Sequence, residues 1–115
     1  MKNNPKQSDI YMVEFGPGKG REYKKVRPAI ILMTDNVIHR ARILTCVPLT
    51  KKSDNYIEDD IIVEKDNYNN LIYDSIIKMH HITACDRSRI LKYVGYLSEN
   101  DWKNVKKRLK QIFGI

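Results

Sequence analysis

At 115 residues the chain is a single domain, residues 1–115, because splitting it would leave pieces too small to bury a core without disulfides or metal; a multidomain enzyme is excluded. Lys and Arg number 21 against 14 Asp and Glu, a net charge of +7 that favours a polyanionic partner, either nucleic acid or an acidic protein segment. The longest apolar run, Ala29 to Met33, falls far short of the roughly 20 residues that span a bilayer, and the amino terminus lacks a signal peptide's apolar core, so a cytoplasmic protein with no membrane partner is expected.

The first eight residues read as a loose segment. Ile10 to Phe15 is β-branched and aromatic, and predicts a first strand. Gly16 to Lys25 holds three glycines, a proline and several charges, the composition of a loop. Val26 to Met33 predicts a second strand, with Pro28 near its start where a missing donor is tolerated. Arg42 to Leu49 and Tyr56 to Glu64 predict two more, separated by a polar turn, followed by a long β-type segment from Leu71 to His81 and a short one from Tyr93 to Leu97. Strands at this spacing, joined by turns, predict an antiparallel sheet closing into a small barrel. Only the end of the chain predicts a helix: Ser98 and Asp101 form a variant capping box, Leu97 is placed to staple onto Trp102, and Trp102, Val105, Leu109 and Ile112 make one apolar stripe. Lys103, Lys106, Lys107 and Lys110 occupy much of the opposite face, as a solvated face does.

Cys46 and Cys85 both sit in apolar stretches and read as buried thiols. His39, His80 and His81 have no Cys or carboxylate at zinc-ligand spacing, so neither a metal site nor a cofactor is predicted. Neighbours on a strand point to opposite faces, which would separate His80 from His81, one in the core and one in solvent.

The charge is uneven: residues 1–52 carry +7, residues 53–74 carry −6 and residues 75–115 carry +6. The acidic middle, from Asp54 to Asp74, predicts an exposed hairpin turned away from an anionic ligand, or simply a solvated face. No nucleophile elbow, phosphate-binding glycine motif or metal-spaced carboxylate cluster is present. What remains is a set of cations and hydroxyls at predicted strand ends: Arg27-Pro28, Pro48-Leu49-Thr50 and Lys78 to His81, with Gly20-Arg21-Glu22-Tyr23 in the loop. If the strand ends share one rim, Arg27 and Thr50 stand side by side in a phosphate site. Cleaving RNA without metal uses the substrate's own 2′-hydroxyl, so the protein must supply a proton acceptor, a proton donor and positive charge for the phosphorane. An arginine forks onto two phosphate oxygens, and a threonine hydroxyl adds an oriented hydrogen bond. Glu22 or a histidine is then available for proton exchange.

Asp9-Ile10-Tyr11-Met12-Val13-Glu14-Phe15-Gly16-Pro17, Gly20-x-Glu22 and Arg27-Pro28-Ala29-Ile30-Ile31 together resemble the opening of the MazF/PemK family of toxin endoribonucleases. Val47-Pro48-Leu49-Thr50 is similar to that family's second segment, and Ser75 to Lys78, Asp86-Arg87-x-Arg89-Ile90 and Gly95-x-Leu97 to its third. The resemblance implies a small SH3-like antiparallel barrel with a carboxy-terminal helix. It also implies metal-independent, sequence-specific cleavage of single-stranded RNA, leaving 2′,3′-cyclic phosphate and 5′-hydroxyl ends, by a homodimer that an antitoxin silences with an acidic, disordered tail. Carried over by position, Arg27 and Thr50 are the catalytic pair, and Glu22 matches a loop glutamate that positions the loop or moves a proton. Lys19, Arg21, Lys24, Lys25, Lys51, Lys78 and His80 are the expected RNA contacts, and His81 a further candidate for proton transfer. The sequence departs from the family where Arg21 precedes Glu22 and where Thr83-Ala84-Cys85-Asp86 keeps only the aspartate of the usual third segment. A non-catalytic protein on the same fold stays open as the competing reading, either a gyrase poison like CcdB or a general RNA-binding barrel using the chain's tyrosines.

Overall fold

The computed structural model describes residues 4–16 and 26–115. Among these residues seven strands form one antiparallel sheet: β1 (Asp9–Glu14), β2 (Val26–Ile31), β3 (Ile43–Lys51), β4 (Ile61–Val63), β5 (Ser75–Ile77), β6 (Thr83–Asp86) and β7 (Ile90–Tyr96). Helix α1 (Asp35–Arg40) follows β2, and α2 (Glu99–Phe113) ends the fold. The neighbour order is β4-β5-β3-β2-β1-β7, with β6 also on β3.

The period-2 pattern of the strands splits their side chains between two cores. Ile10, Ile30, Val47 and Leu49 point to one face, where Val105 of α2 meets them; Trp102, Leu109 and Ile112 pack against the same cluster. Tyr11, Val13, Ala29, Ile31, Leu44 and Cys46 point to the other face, which Ile38 of α1 covers. That second cover was not anticipated from the sequence. A helix of six residues with one buried side chain has no stripe to read. Its last carbonyls instead find a partner from far along the chain, because the Arg87 guanidinium donates to the carbonyls of Ile38 and Ala41.

β3 organises the sheet. Its residues Cys46 to Pro48 pair with β2, Ile43 to Cys46 pair with β6, and Leu49 to Lys51 pair with β5. The change of partner from β6 to β5 falls at Pro48, which has no N–H to contribute to a ladder, while its carbonyl accepts from the Lys78 N–H at 3.0 Å.

The sheet does not close into the expected barrel: its path ends on β4 and β7. β4 stops after Val63, and the chain enters a tight turn held by Asp66 and Asn69. The Asn69 amide is buried, donates to the Glu64 carbonyl and accepts from the Asp66 and Leu71 N–H groups. The gap is bridged by this turn rather than by a ladder, the Tyr96 N–H donating to the Tyr68 carbonyl at 3.0 Å. A Cβ on Gly95 would lie 2.4 Å from that same carbonyl, so only glycine permits the approach.

The predicted Leu71–His81 strand is also shorter than its composition suggests. Only Ser75–Ile77 pairs, and Met79–His81 is a turn of 3-10 helix. Conversely, β7 begins at Ile90, upstream of the predicted Tyr93. α2 follows its sequence signals closely. The Ser98 hydroxyl accepts from the Asp101 N–H at 3.1 Å, and Gly114 ends the helix in the left-handed region at φ 69°, which glycine adopts without a Cβ penalty.

Candidate functional site

Pairing of β2 with β3 sets Ala29 opposite Pro48 and Ile30 opposite Val47. Continuing that register by two residues on each strand brings Arg27 and Thr50 to the same level, beyond the last ladder pair. Both line one cleft of about 530 Å³. Their neighbours Pro28, Leu49 and Lys51 line it too. The opposite wall comes from the turn before β5 and from β7: Leu71, Ile72 and Tyr73, then Lys92, Tyr93 and Val94. The cleft thus joins three cations and a hydroxyl to an apolar and aromatic wall. Among the described residues, Arg27 has no carboxylate partner within ion-pair distance. The Lys51 ammonium stands 4.4 Å from the centroid of the Tyr73 ring, a cation–π contact.

Lys78, His80 and His81 lie elsewhere. The chain leaves β5 at Ile77, and the Lys78 ammonium donates to Asp60 Oδ2 at 2.8 Å. Asp60 is buried, with 1% of its side chain exposed, and it also accepts from the Ile57 N–H. Burial opposes ionisation of Asp60, but the hydrogen bonds from Lys78 and Ile57 outweigh it and hold the carboxyl below its usual range. His80 Nε2 is 2.7 Å from Asp59 Oδ2. Both histidines are exposed, because a 3-10 turn does not alternate faces as a strand does. The expectation of one buried histidine is therefore corrected. Within the acidic stretch most carboxylates are exposed, while Asp60 pairs with Lys78 and Asp59 with His80. Neither Lys78, His80 nor His81 lines the cleft.

Lys19, Arg21, Glu22, Lys24 and Lys25 lie outside the described residues. Lys92 lines the cleft without having been singled out by sequence, and Tyr73 and Tyr93, grouped there only among the tyrosines of the RNA-binding reading, line it as well. The basic residues of the third segment have structural partners: Arg87 braces α1, and Arg89 donates to the Glu14 carbonyl. Asp86 accepts from the Ser88 N–H at 2.8 Å and so caps a second 3-10 turn, Arg87–Arg89. That bond first, with Arg42 helping, lowers its carboxyl pKa.

A second cavity, about 660 Å³, lies between the amino-terminal segment and α1. Several of its cations already have partners: Arg87 bonds carbonyls, Arg40 the Asn36 carbonyl and Arg42 the Asp86 carboxylate. Cys46 and Cys85 are both reduced and buried, as expected, with sulfurs 3.7 Å apart. The hydrogen bond between them, with the Arg89 charge assisting against burial, lowers the Cys85 thiol pKa; that bond and burial raise Cys46. Among the described residues no three His, Cys, Asp or Glu side chains gather as metal ligands, and no helix is long and apolar enough to cross a membrane.

Residues 6–113 match the family described as PemK-like, MazF-like toxin of type II toxin-antitoxin system. The chain belongs to the MazF/PemK toxin family. A curated relative, Endoribonuclease MazF of Staphylococcus saprophyticus, is 24% identical over 111 residues, which covers 96% of this chain and 92% of the relative. Among solved structures, a MazE–MazF complex from Deinococcus radiodurans superposes with a TM-score of 0.79 at 18% identity, covering 99% of each chain. A mycobacterial endoribonuclease solved with its cognate antitoxin gives 0.77 at 14% identity, covering 96% of each. The mainly β fold with one carboxy-terminal helix is thus that of MazF structures, and Arg27 and Thr50 lie within the matched span.

Proposed function

We propose that this MazF-family chain is the toxin of a type II toxin–antitoxin pair, a cytoplasmic endoribonuclease that cuts single-stranded mRNA at specific sequences without a metal ion. The observation that carries the reading is the placement of Arg27 and Thr50 on adjoining strands in one cleft. In this reaction the substrate's 2′-oxygen attacks the adjacent phosphorus and the bond to the 5′-oxygen breaks, leaving a 2′,3′-cyclic phosphate and a 5′-hydroxyl. Arg27 forks onto the non-bridging oxygens and stabilises the charge that builds on the phosphorane. Thr50 donates to a phosphate oxygen and fixes the phosphorus in line with its nucleophile. Lys51 and Lys92 hold neighbouring phosphates. Glu22, five residues before Arg27 in the sequence, is the candidate to exchange protons with the 2′-hydroxyl and the leaving oxygen.

A cleft that attracts RNA phosphates also attracts carboxylates. The acidic, disordered segment of a cognate antitoxin fits the same surface and would inhibit by occupying it. Exposed Phe113 and Ile115 at the carboxy terminus support self-association as a homodimer.

The test is incubation of the purified protein with a long single-stranded RNA in EDTA, followed by mapping of fragment ends. Discrete cuts bearing 5′-hydroxyls are expected. Binding with no cutting would instead make the chain an RNA-binding barrel, and blocked DNA supercoiling with intact RNA would make it a gyrase poison.

A further inference from the structure

β7, which borders the cleft, is irregular at two places. Pairing with β1 runs from Ile10 with Gly95 to Tyr11 with Tyr93, then from Met12 with Lys92 to Val13 with Ile90, so Val94 and Leu91 are each one residue too many. Lys92, Tyr93 and Val94 all line the same cleft. A planar apolar ring and a flexible cation end up adjacent, in the cavity that also holds Arg27 and Thr50.

The ring is fixed from behind. Buried Tyr11 meets Tyr93 with centroids 5.4 Å apart and planes at 71°, while Tyr93 stays 48% exposed. A braced, half-exposed ring gives up little conformational freedom when a flat group settles on it. Burial first, then the charges of Asp9 and Tyr96, raise the Tyr93 phenol pKa above its ordinary value, so the ring brings no charge to repel phosphate. Tyr73, the other tyrosine of the cleft, is already engaged by the Lys51 ammonium. Tyr56, Tyr68 and Tyr96 are exposed but do not line this cavity.

Resting on the cleft as an RNA-cleaving site, we propose that Tyr93 is the platform on which a nucleobase flanking the scissile phosphate stacks, with Lys92 holding that nucleotide's phosphate. Single-stranded RNA repeats one anion and one planar base per residue, and an aromatic ring beside a cation matches that pairing. Placing a base on Tyr93 fixes which phosphate reaches Arg27 and Thr50, so the platform contributes to the choice of cleavage site.

The test is a cycle across enzyme and substrate, using a short RNA spanning one mapped cut in which each flanking base is removed in turn to leave an abasic ribose. On intact RNA, Tyr93→Phe should keep kcat/KM within about twofold of wild type, while Tyr93→Ala should lose roughly 5- to 150-fold, the range for one base–aromatic stack. Tyr93→Leu, which keeps apolar bulk under the fold, should lose a comparable factor; Tyr56→Ala should lose none. The loss should shrink to about twofold on the RNA missing one particular base, because the stack is then already absent. A loss of equal size on every abasic RNA, or no loss on intact RNA, overturns the proposal. If the wild-type protein cuts no RNA, the nuclease reading itself fails, and a 2′-O-methyl oligonucleotide carrying 2-aminopurine then decides the platform. Quenching by wild type but not by Tyr93→Leu would support it, and equal or absent quenching would refute it.

Discussion

Arg27 and Lys78 are both cations at a strand boundary, each beside polar side chains capable of chemistry, and each a candidate RNA contact in the sequence. Arg27 opens onto a cleft with Thr50, Lys51 and Lys92, and among the described residues no carboxylate takes its charge. Lys78 instead turns onto buried Asp60, while the neighbouring His80 meets Asp59. The difference is made by the acidic stretch between β3 and β5. It supplies counter-charges to one basic segment and, among the described residues, none to Arg27. A cation's role here depends on which carboxylates the fold brings to it, and that is a long-range property.

The comparison is broken or sharpened most strongly at Arg27. Arg27→Ala should slow cleavage by about 100- to 1,000-fold, the usual cost of removing one preorganised group that stabilises transition-state charge, with the urea midpoint nearly unchanged. A large loss of stability with full activity per folded molecule would assign Arg27 to the fold instead.

On the other side, Asp60→Asn should destabilise the protein by about 3 kcal/mol, because it leaves the Lys78 ammonium without its counter-charge in a mostly buried position; chemical denaturation reads this directly. The Asp60 carboxyl is held below its usual range in the folded state. Its stabilising contribution is therefore complete above the ordinary carboxylate pKa of about 3.9 and is lost as pH falls through the lowered folded value. The stability gap between wild type and Asp60→Asn should follow that course, wide at neutral pH and closing in acid.

Thr50→Val should lower kcat by roughly 10-fold or more, as expected for a hydrogen bond to a charged group, and Thr50→Ser should restore most of it. Lys51→Ala should leave chemistry largely intact but flatten the salt dependence of RNA binding by about 0.7 in logarithmic slope, the value for one phosphate contact on a single strand. A similar flattening in a variant lacking Lys78 would erase the distinction between the two regions. Ser98→Ala sets the lower bound, costing about 1 kcal/mol of stability through the lost helix cap, with activity per folded molecule unchanged.

The parts of this molecule that were legible in the sequence are those set by local patterns. β1, β2 and β3 show as β-branched runs, and α2 shows as a capped amphipathic stripe whose Ser98 and Gly114 do what their residue types favour. That Arg27 and Thr50 share one cleft was expected from strand ends meeting on one rim and from the family resemblance, and the β2–β3 register accounts for it. The illegible parts depend on distant partners. α1 has one buried side chain and is braced by Arg87. The open gap between β4 and β7 follows from the Asn69 turn. The two register shifts of β7 against β1 are announced by no local composition, and the capture of Lys78 requires Asp60, 18 residues earlier.

The central claim is that catalysis resides in the Arg27 cleft and not in the Lys78 corner. It is tested most directly by single-turnover cleavage of one defined RNA by Arg27→Ala and by Asp60→Asn/Lys78→Met, which removes the paired charges together, each corrected for folded fraction. The account predicts that the first falls by about 100-fold or more while the second stays within about threefold of wild type, as fits a pair whose charges satisfy each other. The reverse ranking, or equal losses in both, would contradict it.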